Sequence, residues 1–371
     1  MKPSTALEPT VKLLVLEGTP RERGRMHGES LKPMILNAMD LWKSNLQRLT
    51  GINADVYIDE FVKETGLVSA AEAWAPDLLA EVEGIAEGTG LNFNTVFAWQ
   101  SMDEEWWYRI FEKKLGLHAF IGDHCSALGQ SGEPDALLAQ NLDLANFYDG
   151  LQVLLHIKHS DSPLESYVFT LAGMVGVYGL NNKSLGICVN TLLDLNHNTR
   201  GLPVAFIVRK VLEQSSLDGA IEFIHQIKHA SGQNYLIGDH EEVVDFECSG
   251  NRVYEFTPYE GASRVYHTNH PIVNDDRISS AEIASKLASS GLSQERFDFL
   301  EAALKDSTKR VTEEIARSIL CSHDAPICRH NNHDSNGFCT NSSVIMRLSR
   351  KPELHLALQP PCSSQYNAFR V

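Results

Sequence analysis

The hydrophobic pattern of the first third of the chain predicts helices. Residues 11–17 alternate like a strand, but after them the apolar residues recur at intervals of three and four. This spacing is typical of one face of an amphipathic helix, and it is clearest at Met34, Ile35, Ala38, Met39 and Trp42. Further helices are predicted over 53–65, 70–88 and 93–108. Gly24 and Gly28 interrupt a helical pattern, which indicates close backbone packing or a break, and only weakly a pocket wall.

At Cys125 the pattern changes to short strands. The runs "CSALGQ" and "ALLAQNLDL" are separated by the turn-rich pentapeptide "SGEPD", which predicts a hairpin that begins at the cysteine. Further strands are predicted over 151–158, 166–172, 185–191, 234–239, 243–248, 252–257, 264–268, 339–348 and 353–358. Helices are predicted over 204–215, 217–228 and within 279–320. This order predicts an α+β architecture of stacked sheets covered by helices.

Composition excludes several classes of protein. The 371 residues are 43% hydrophobic and 22% charged, which is typical of a globular chain with a large core. A formal charge of -16 disfavours nucleic acid or a membrane surface as partner. We find no transmembrane run and no signal-peptide pattern, and therefore expect a cytoplasmic protein. The seven cysteines, an odd number spread over the chain, fit reduced thiols better than a disulfide framework.

Cys125 is the candidate nucleophile, although a buried cysteine is most often inert. It starts a predicted strand after a polar turn, and the small residues Ser126 and Ala127 follow it. Asp143 lies eighteen positions further on, at the end of the returning strand. A hairpin of this length brings the end of its second strand beside the start of the first. We therefore expect the thiol and the carboxylate to lie close together.

Two further motifs allow alternative interpretations. Asn269, in "YHTNHP", can donate its side-chain amide to a developing oxyanion or can cap a turn. The segment "CRHNNHDSNGFC" contains ligand types that zinc prefers, but its spacing is not that of a common zinc finger. The four residues are Cys328, His330, His333 and Cys339. Their alternative role is that of ordinary loop or core residues.

The order of these motifs along nearly the whole chain resembles one family. The motifs are "RGRMHGESL", "DHCS", "AQNLDL", "GLNNKSLGICVNTL", "GQNYLIGD", "HTNH", "ICRHN" and "QPPCSSQYNAFRV". They resemble the acyl-coenzyme A:isopenicillin N acyltransferase family of N-terminal nucleophile (Ntn) hydrolases, to which the insect β-alanyl-dopamine hydrolase also belongs. The resemblance implies an αββα four-layer sandwich with a helical N-terminal segment and a zymogen that cleaves itself before Cys125. It also implies roles for four residues: Cys125 as nucleophile, Asp143 as a site carboxylate, Asn269 in the oxyanion hole and Arg329 as the active-site arginine.

On this interpretation the chain is a cysteine amidohydrolase that passes an acyl group from a small N-acyl amide, or from an acyl thioester, through a Cys125 thioester. Residues 1–124 form an α part and residues 125–371 a catalytic β part, associated as one unit that can form homo-oligomers. No cofactor or resident metal is expected. The family most often has glycine before the cysteine, where this chain has His124, so the cleavage site is where this sequence departs from the family pattern. The alternatives are an acyl-CoA-dependent N-acyltransferase and an uncleaved or zinc-stabilised binding protein.

Overall fold

The computed structural model describes residues 11–115, 125–279, 292–306, 308–330 and 337–371. A short strand, β1 (Leu13–Leu16), precedes a series of helices. These are α1 (Pro20–Ser30), α2 (Lys32–Thr50), α3 (Ala54–Glu64), α4 (Leu67–Trp74), α5 (Pro76–Thr89), α6 (Phe93–Gln100) and α7 (Met102–Trp107), and a π-helical turn, Tyr108–Glu112, follows. The helical N-terminal segment is thereby confirmed. The predicted helix over 70–88 is divided at Ala75, because Pro76 lacks the N–H that an uninterrupted helix requires.

The remaining chain is dominated by strands. They are β2 (Ser126–Gln130), β3 (Ala136–Ala145), β4 (Gln152–Lys158), β5 (Glu165–Leu171), β6 (Tyr178–Asn181), β7 (Gly186–Thr191), β8 (Gln233–Gly238), β9 (Val243–Cys248), β10 (Val253–Glu255), β11 (Arg264–His267), β12 (Phe338–Leu348), β13 (Glu353–Leu358) and β14 (Asn367–Arg370). Among the described residues after Cys125, four helices accompany these strands: α8 (Val204–Leu212), α9 (Leu217–Gln226), α10 (Leu292–Leu304) and α11 (Glu313–Leu320). The hydrophobic pattern did not predict β6 or β14.

The strands form two sheets that pack face to face. One sheet has the order β1-β4-β5-β6-β7-β8-β9-β10 and the other β11-β2-β3-β12-β13-β14. Strands β2 and β3 contact β7, β8 and β9 across the interface. Helices α8 and α9 cover the outer face of the first sheet, and α10 and α11 cover the outer face of the second. The predicted α+β class and αββα sandwich are thus confirmed.

The helical segment and the sandwich share one hydrophobic core. That core contains residues from before Cys125, such as Trp42 and Trp99, together with residues of both sheets. Trp107 and Tyr108, at the end of the helical segment, are buried as well. Among the described residues, no helix combines the length and the apolar character that crossing a bilayer requires. The division into an α and a β part at Cys125 stays a prediction.

Candidate active site around Cys125

Cys125 lies directly before β2, between the two sheets. Its side chain is 3% exposed, and the strand that follows it is buried along its whole length. Ser126 pairs with Asn141 in the antiparallel β2–β3 hairpin. This register brings the end of β3 back to the cysteine, as the sequence predicts. The hairpin is buried on both faces, which explains why its strands are apolar runs rather than alternating patterns.

The backbone nitrogen of Cys125 is held by Asn269, which follows β11. That N–H donates to Asn269 Oδ1 at 2.7 Å, and Asn269 Nδ2 donates to the carbonyl oxygen of Thr191 at 3.1 Å. Arg296 Nη2 also donates to Asn269 Oδ1, at 2.9 Å. Both groups that face this atom are donors, so it must be the amide oxygen. The structure thus places Asn269 at the nitrogen of Cys125, whereas its role in an oxyanion hole stays a prediction.

Arg296 of α10 was not predicted from the sequence, yet it contacts Cys125 directly. Its Nη1 donates to the Cys125 carbonyl oxygen and to Ser126 Oγ, the latter at 2.9 Å. The side chain is fully buried, and desolvation lowers its pKa to about 10 although the neighbouring Asp143 and Cys125 act in the opposite direction. A cation held at this depth requires nearby negative charge or acceptors. Arg296 therefore provides a positive charge beside the thiol.

A signal for Arg296 was present in the sequence. Within α10 it lies four and eight positions before Leu300 and Leu304, and all three are buried. Positions at this spacing share one face of a helix. A charged residue on the apolar face of an amphipathic helix indicates a buried partner, and here that partner is the candidate active site.

Asp143 lies near the end of β3 and is almost completely buried. Its Oδ1 accepts a hydrogen bond from Thr340 Oγ1 at 2.7 Å, and Thr340 Oγ1 in turn accepts one from the Arg329 backbone N–H at 2.9 Å. Burial raises the pKa of Asp143 to about 7, while the charges of Arg296 and Arg329 oppose this increase. The β2–β3 register brings the end of β3, where Asp143 lies, near Cys125, and Arg296 interacts electrostatically with both residues. A direct approach of the thiol to the carboxylate stays a prediction.

Arg329 approaches the site from the segment that precedes β12. Its guanidinium lies 6.0 Å from the centroid of the Phe338 ring, and its charge acts on Asp143. Its Nη1 atom is buried without a hydrogen-bond acceptor among the described residues. Arg296 donates to Cys125 itself, whereas Arg329 acts on the neighbouring carboxyl group. The fifth predicted site residue, His124, and with it the proposed cleavage bond, lies outside the described residues.

A small cavity opens beside Cys125 between the N-terminal helices and the sandwich. Its volume is about 40 Å³, which is small for an organic ligand. The lining is mainly apolar and includes Leu142, Leu144, Met174, Val177 and Val189. Asp103 of α7 supplies a carboxyl group to the same wall. The thiol thus faces an apolar space that both parts of the chain enclose.

Asp103 and Glu104 form a buried acidic pair that the sequence analysis did not identify. Asp103 Oδ2 accepts hydrogen bonds from Thr191 Oγ1 at 2.7 Å and from Gln233 Nε2 at 2.6 Å. Burial raises the pKa of both groups, for Glu104 to about 8. Because Thr191 also accepts from Asn269, this pair connects the helical segment to the Cys125 site.

The zinc ligands predicted from the sequence are only partly together. Cys339 lies in β12, is 2% exposed and pairs with Leu144 of β3. In the described chain it is not part of the cysteine and histidine cluster to which Cys328 and His330 belong. His333 lies outside the described residues.

Comparison with known proteins identifies the family. The family model for acyl-coenzyme A:6-aminopenicillanic acid acyl-transferase matches residues 130–349, more than half of the chain. The 40 kDa form of acyl-coenzyme A:6-aminopenicillanic-acid-acyltransferase from Emericella nidulans is 24% identical over 259 residues, covering 70% of this chain and 69% of its own.

Two solved structures are also similar. One is a mutant of the conjugated bile acid hydrolase from Clostridium perfringens, with a TM-score of 0.38, 11% identity and coverage of 66% of this chain and 97% of its own. The other is penicillin V acylase from Agrobacterium tumefaciens, with a TM-score of 0.41, 12% identity and coverage of 67% and 86%. The match to the family model extends over both sheets of the sandwich, and the chain belongs to the acyl-coenzyme A:6-aminopenicillanic acid acyl-transferase family.

Proposed function

We propose that the chain is a cysteine amidohydrolase that cleaves a small N-acyl substrate through a thioester on Cys125. One observation carries this proposal: the Cys125 thiol borders a cavity while its backbone nitrogen is held by Asn269 and its carbonyl oxygen by Arg296. The backbone groups of any buried residue require partners, but here both partners are side chains, and the guanidinium of Arg296 also interacts electrostatically with the thiol. Membership of a family named for acyl transfer supports the same chemistry.

The first proposed step is self-cleavage of the His124–Cys125 bond. Sγ of Cys125 attacks the carbonyl carbon of residue 124, the C–N bond breaks, and the acyl group moves from nitrogen to sulfur. Water then hydrolyses the thioester, which leaves a carboxylate on residue 124 and a free amine and thiol on Cys125. The amine has an ordinary pKa near 8, so it can serve as a base near neutral pH. Asn269 Oδ1 lies at that nitrogen and would orient it.

In each turnover the amine accepts the thiol proton and Sγ attacks the substrate carbonyl carbon. The amide C–N bond breaks, the leaving amine takes up the proton, and a thioester remains on Cys125. Water then attacks the thioester, which releases the acid and regenerates the thiol. Arg296 stabilises negative charge on sulfur because it is buried and close. Asn269 Nδ2 carries two hydrogens, of which one bonds Thr191, so the second can serve the proposed oxyanion role.

The cavity supports a short, apolar acyl group. Its lining is mainly aliphatic, and the volume beside the thiol is small. A bulky or charged acyl group would have to displace packed side chains or lose its hydration without compensation. The amine part of the substrate would then lie toward the outer end of the cavity.

Acyl transfer is the second candidate, and the family model and the relative favour it, since both are named for transfer from acyl-coenzyme A. Water and an amine compete for the same thioester, so the second half of the two reactions differs only in the acceptor. A transferase would form a new amide from an acyl-CoA thioester and an added amine, whereas a hydrolase would release the acid. Mass spectrometry of both products separates them.

The experiment combines intact mass with turnover of N-acyl amines and acyl-CoA thioesters. We expect the wild-type chain to be active and to show two masses, those of the fragments 1–124 and 125–371. Cys125→Ala should remain one chain without activity, and Cys321→Ser should behave as the wild type. An active Cys125→Ala variant would disprove the nucleophile. An active wild type that stays in one piece would disprove the cleavage, and cleavage seen only in His124→Gly would identify the native chain as an uncut member.

A further inference from the structure

Four side chains of the types that zinc prefers come together beside Arg329, three of them exposed and Cys328 buried. They are His323, Cys328, His330 and Cys362, and one ligand atom from each lies within 4.8 Å of every other. Three of these residues belong to the segment after α11, and the fourth lies in the connection between β13 and β14. The cluster therefore combines two parts of the chain that are separated in sequence, which is typical of a structural metal site.

Two of the distances between ligand atoms are close to those of a tetrahedral site, and the others do not exceed 4.8 Å. His323 Nε2 lies 3.0 Å from His330 Nε2, and Cys362 Sγ lies 3.2 Å from His330 Nε2. With usual Zn–N and Zn–S bond lengths, neighbouring ligands of tetrahedral zinc lie about 3.3 to 3.8 Å apart. Small side-chain movements would bring the four atoms to these distances. Thiolate and imidazole are also the ligand types that zinc prefers over the harder divalent cations.

The set of ligands differs from the one the sequence suggested. Cys339, which was a candidate ligand because of its residue type, is instead part of β12. Cys362, some thirty residues further along, contacts His330 instead. Neither the number nor the type of ligands changes, but the spacing no longer resembles a motif within a single loop.

We propose that His323, Cys328, His330 and Cys362 form a structural Zn²⁺ site. A disulfide between the two cysteines would use only half of the cluster, whereas a metal ion uses all four residues. The site fastens the segment 323–330 to the β13–β14 connection.

Arg329 lies between two of the ligands, so the metal ion would also restrain the residue whose charge acts on Asp143. The backbone of Arg329 is fixed from the other side, because its N–H donates to Thr340 Oγ1 at 2.9 Å and its carbonyl oxygen accepts from the Thr340 N–H at 3.0 Å. The Arg329 backbone is thus held by Thr340 on one side, and the metal ion would hold it through the neighbouring ligands Cys328 and His330 on the other. The metal site does not depend on the proposed function, since its binding is measured without substrate.

The test is a titration of metal-free full-length protein with Zn²⁺ in competition with a chromophoric chelator. We expect one tightly bound ion per chain and a tetrahedral thiolate spectrum when Co²⁺ replaces zinc. Cys362→Ser, an exposed change, should weaken binding about 100-fold or more, since even loss of a group that merely supports a ligand costs 10–100-fold. His323→Ala, which is also exposed, should weaken binding in the same direction.

Two controls keep the outcome specific. Cys321→Ser removes a neighbouring thiol that is not in the cluster and should bind as the wild type does. Cys125→Ala removes the thiol of the candidate active site and should also retain the metal site. Equal binding by wild type and Cys362→Ser would overturn the proposal, as would a Cys328–Cys362 disulfide in protein purified without oxidant. If Cys125→Ala keeps its zinc but loses activity, the metal site is supported independently of the proposed nucleophile. Loss of zinc binding in Cys362→Ser tests the metal site, and loss of activity in Cys125→Ala tests the nucleophile.

Discussion

At the scale of single residues, Arg296 is the side chain that most directly defines the state of Cys125. Its guanidinium donates to the cysteine carbonyl, to Ser126 and to Asn269 from a fully buried position. A lysine keeps the charge but cannot reproduce a planar fork with several donors. The contribution of charge and the contribution of geometry can therefore be separated.

We expect Arg296→Gln to lower kcat/KM by about 10²- to 10³-fold, as loss of a preorganised donor does elsewhere. Arg296→Lys should recover part of this loss. The Gln variant should also raise the thiol pKa, which the pH dependence of alkylation of Cys125 by iodoacetamide measures. Arg317→Gln, on the exposed face of α11, is the control. An unchanged alkylation profile in a folded Gln variant would contradict the role of Arg296.

Asp143 should make stability dependent on pH, because burial raises its pKa from 3.8 to about 7. The folded state then keeps the proton to higher pH than the unfolded state, so stability is lost as pH rises from about 4 to about 7. Within that range the free energy of unfolding should fall by about 1.4 kcal/mol per pH unit. Asp143→Asn resembles the protonated acid and should remove this loss.

The measurement is urea denaturation between pH 5 and 8 in the Cys125→Ala background, where the chain is expected to stay in one piece. The advantage of Asp143→Asn over its parent should grow with pH. Asp161→Asn, in an exposed turn, should not alter the pH dependence. Parallel pH profiles of Asp143→Asn and its parent would show that the buried carboxyl is not the group that titrates.

At the scale of elements, helices α1 and α5 pack closely against each other, and each helix contributes glycines to the contact. A Cβ at Gly24 would lie 1.9 Å from the carbonyl oxygen of Glu81, and one at Gly84 would lie 2.2 Å from that of Arg21. Gly28 and Gly88 continue the same contact one turn further along. The close-packing interpretation of "ERGRMHGESL" thus agrees with the structure, since these backbones approach more closely than any side chain permits.

Gly24→Ala should therefore destabilise the protein even though alanine is the better helix former. Alanine would gain about 1 kcal/mol of helix propensity, but it would force the two helices apart. We expect a net loss of free energy of unfolding of about 2 kcal/mol or more. Gly219→Ala in α9, where the nearest atoms to a Cβ are side-chain atoms of Ser216 and Gln214 at 3.3 Å or more, should be neutral or stabilising. Equal denaturation midpoints for the two variants would contradict this account.

At the scale of the whole molecule, a buried ion cluster joins the helical segment to the sandwich. Glu81 of α5 accepts hydrogen bonds from Arg209 of α8 at 2.7 and 3.0 Å and from Arg23 of α1 at 3.2 Å. All three side chains are buried. The charges of the two arginines hold the pKa of Glu81 below its usual value in spite of desolvation. The cluster helps to hold residues before and after Cys125 in one unit.

Glu81→Gln should cost about 3 to 5 kcal/mol of stability, because it leaves two buried guanidinium groups without their counter-charge. Glu83→Gln, two residues away in an exposed pair with Arg21, should cost at most about 1 kcal/mol. In cleaved protein, the Glu81 change should also promote separation of the two parts during gel filtration in mild urea. Similar losses for the two variants would show that the cluster does not join the parts.

The sequence by itself determined most of the helices and strands and the order of the candidate site residues along the chain. Local patterns predicted the helical segment and most strands, because hydrophobic periodicity reflects which face each element buries. Hairpin geometry was sufficient to bring the end of β3 back toward Cys125, because the two strands are joined by a short turn. Strand β6 was not predicted, because its four residues are all buried and carry no alternation.

Only the tertiary structure decided which distant side chains meet. Arg296 reaches Cys125 from a helix 171 positions away, and Cys362 rather than Cys339 contacts His330. The same holds for the Glu81 cluster, in which three helices contribute one residue each. The physical reason is that local patterns report the burial of a residue, whereas its partner depends on how sheets and helices stack. The sequence pattern can predict that a charged or metal-binding side chain is buried. Which other group pairs with it is decided only by how the helices and sheets pack.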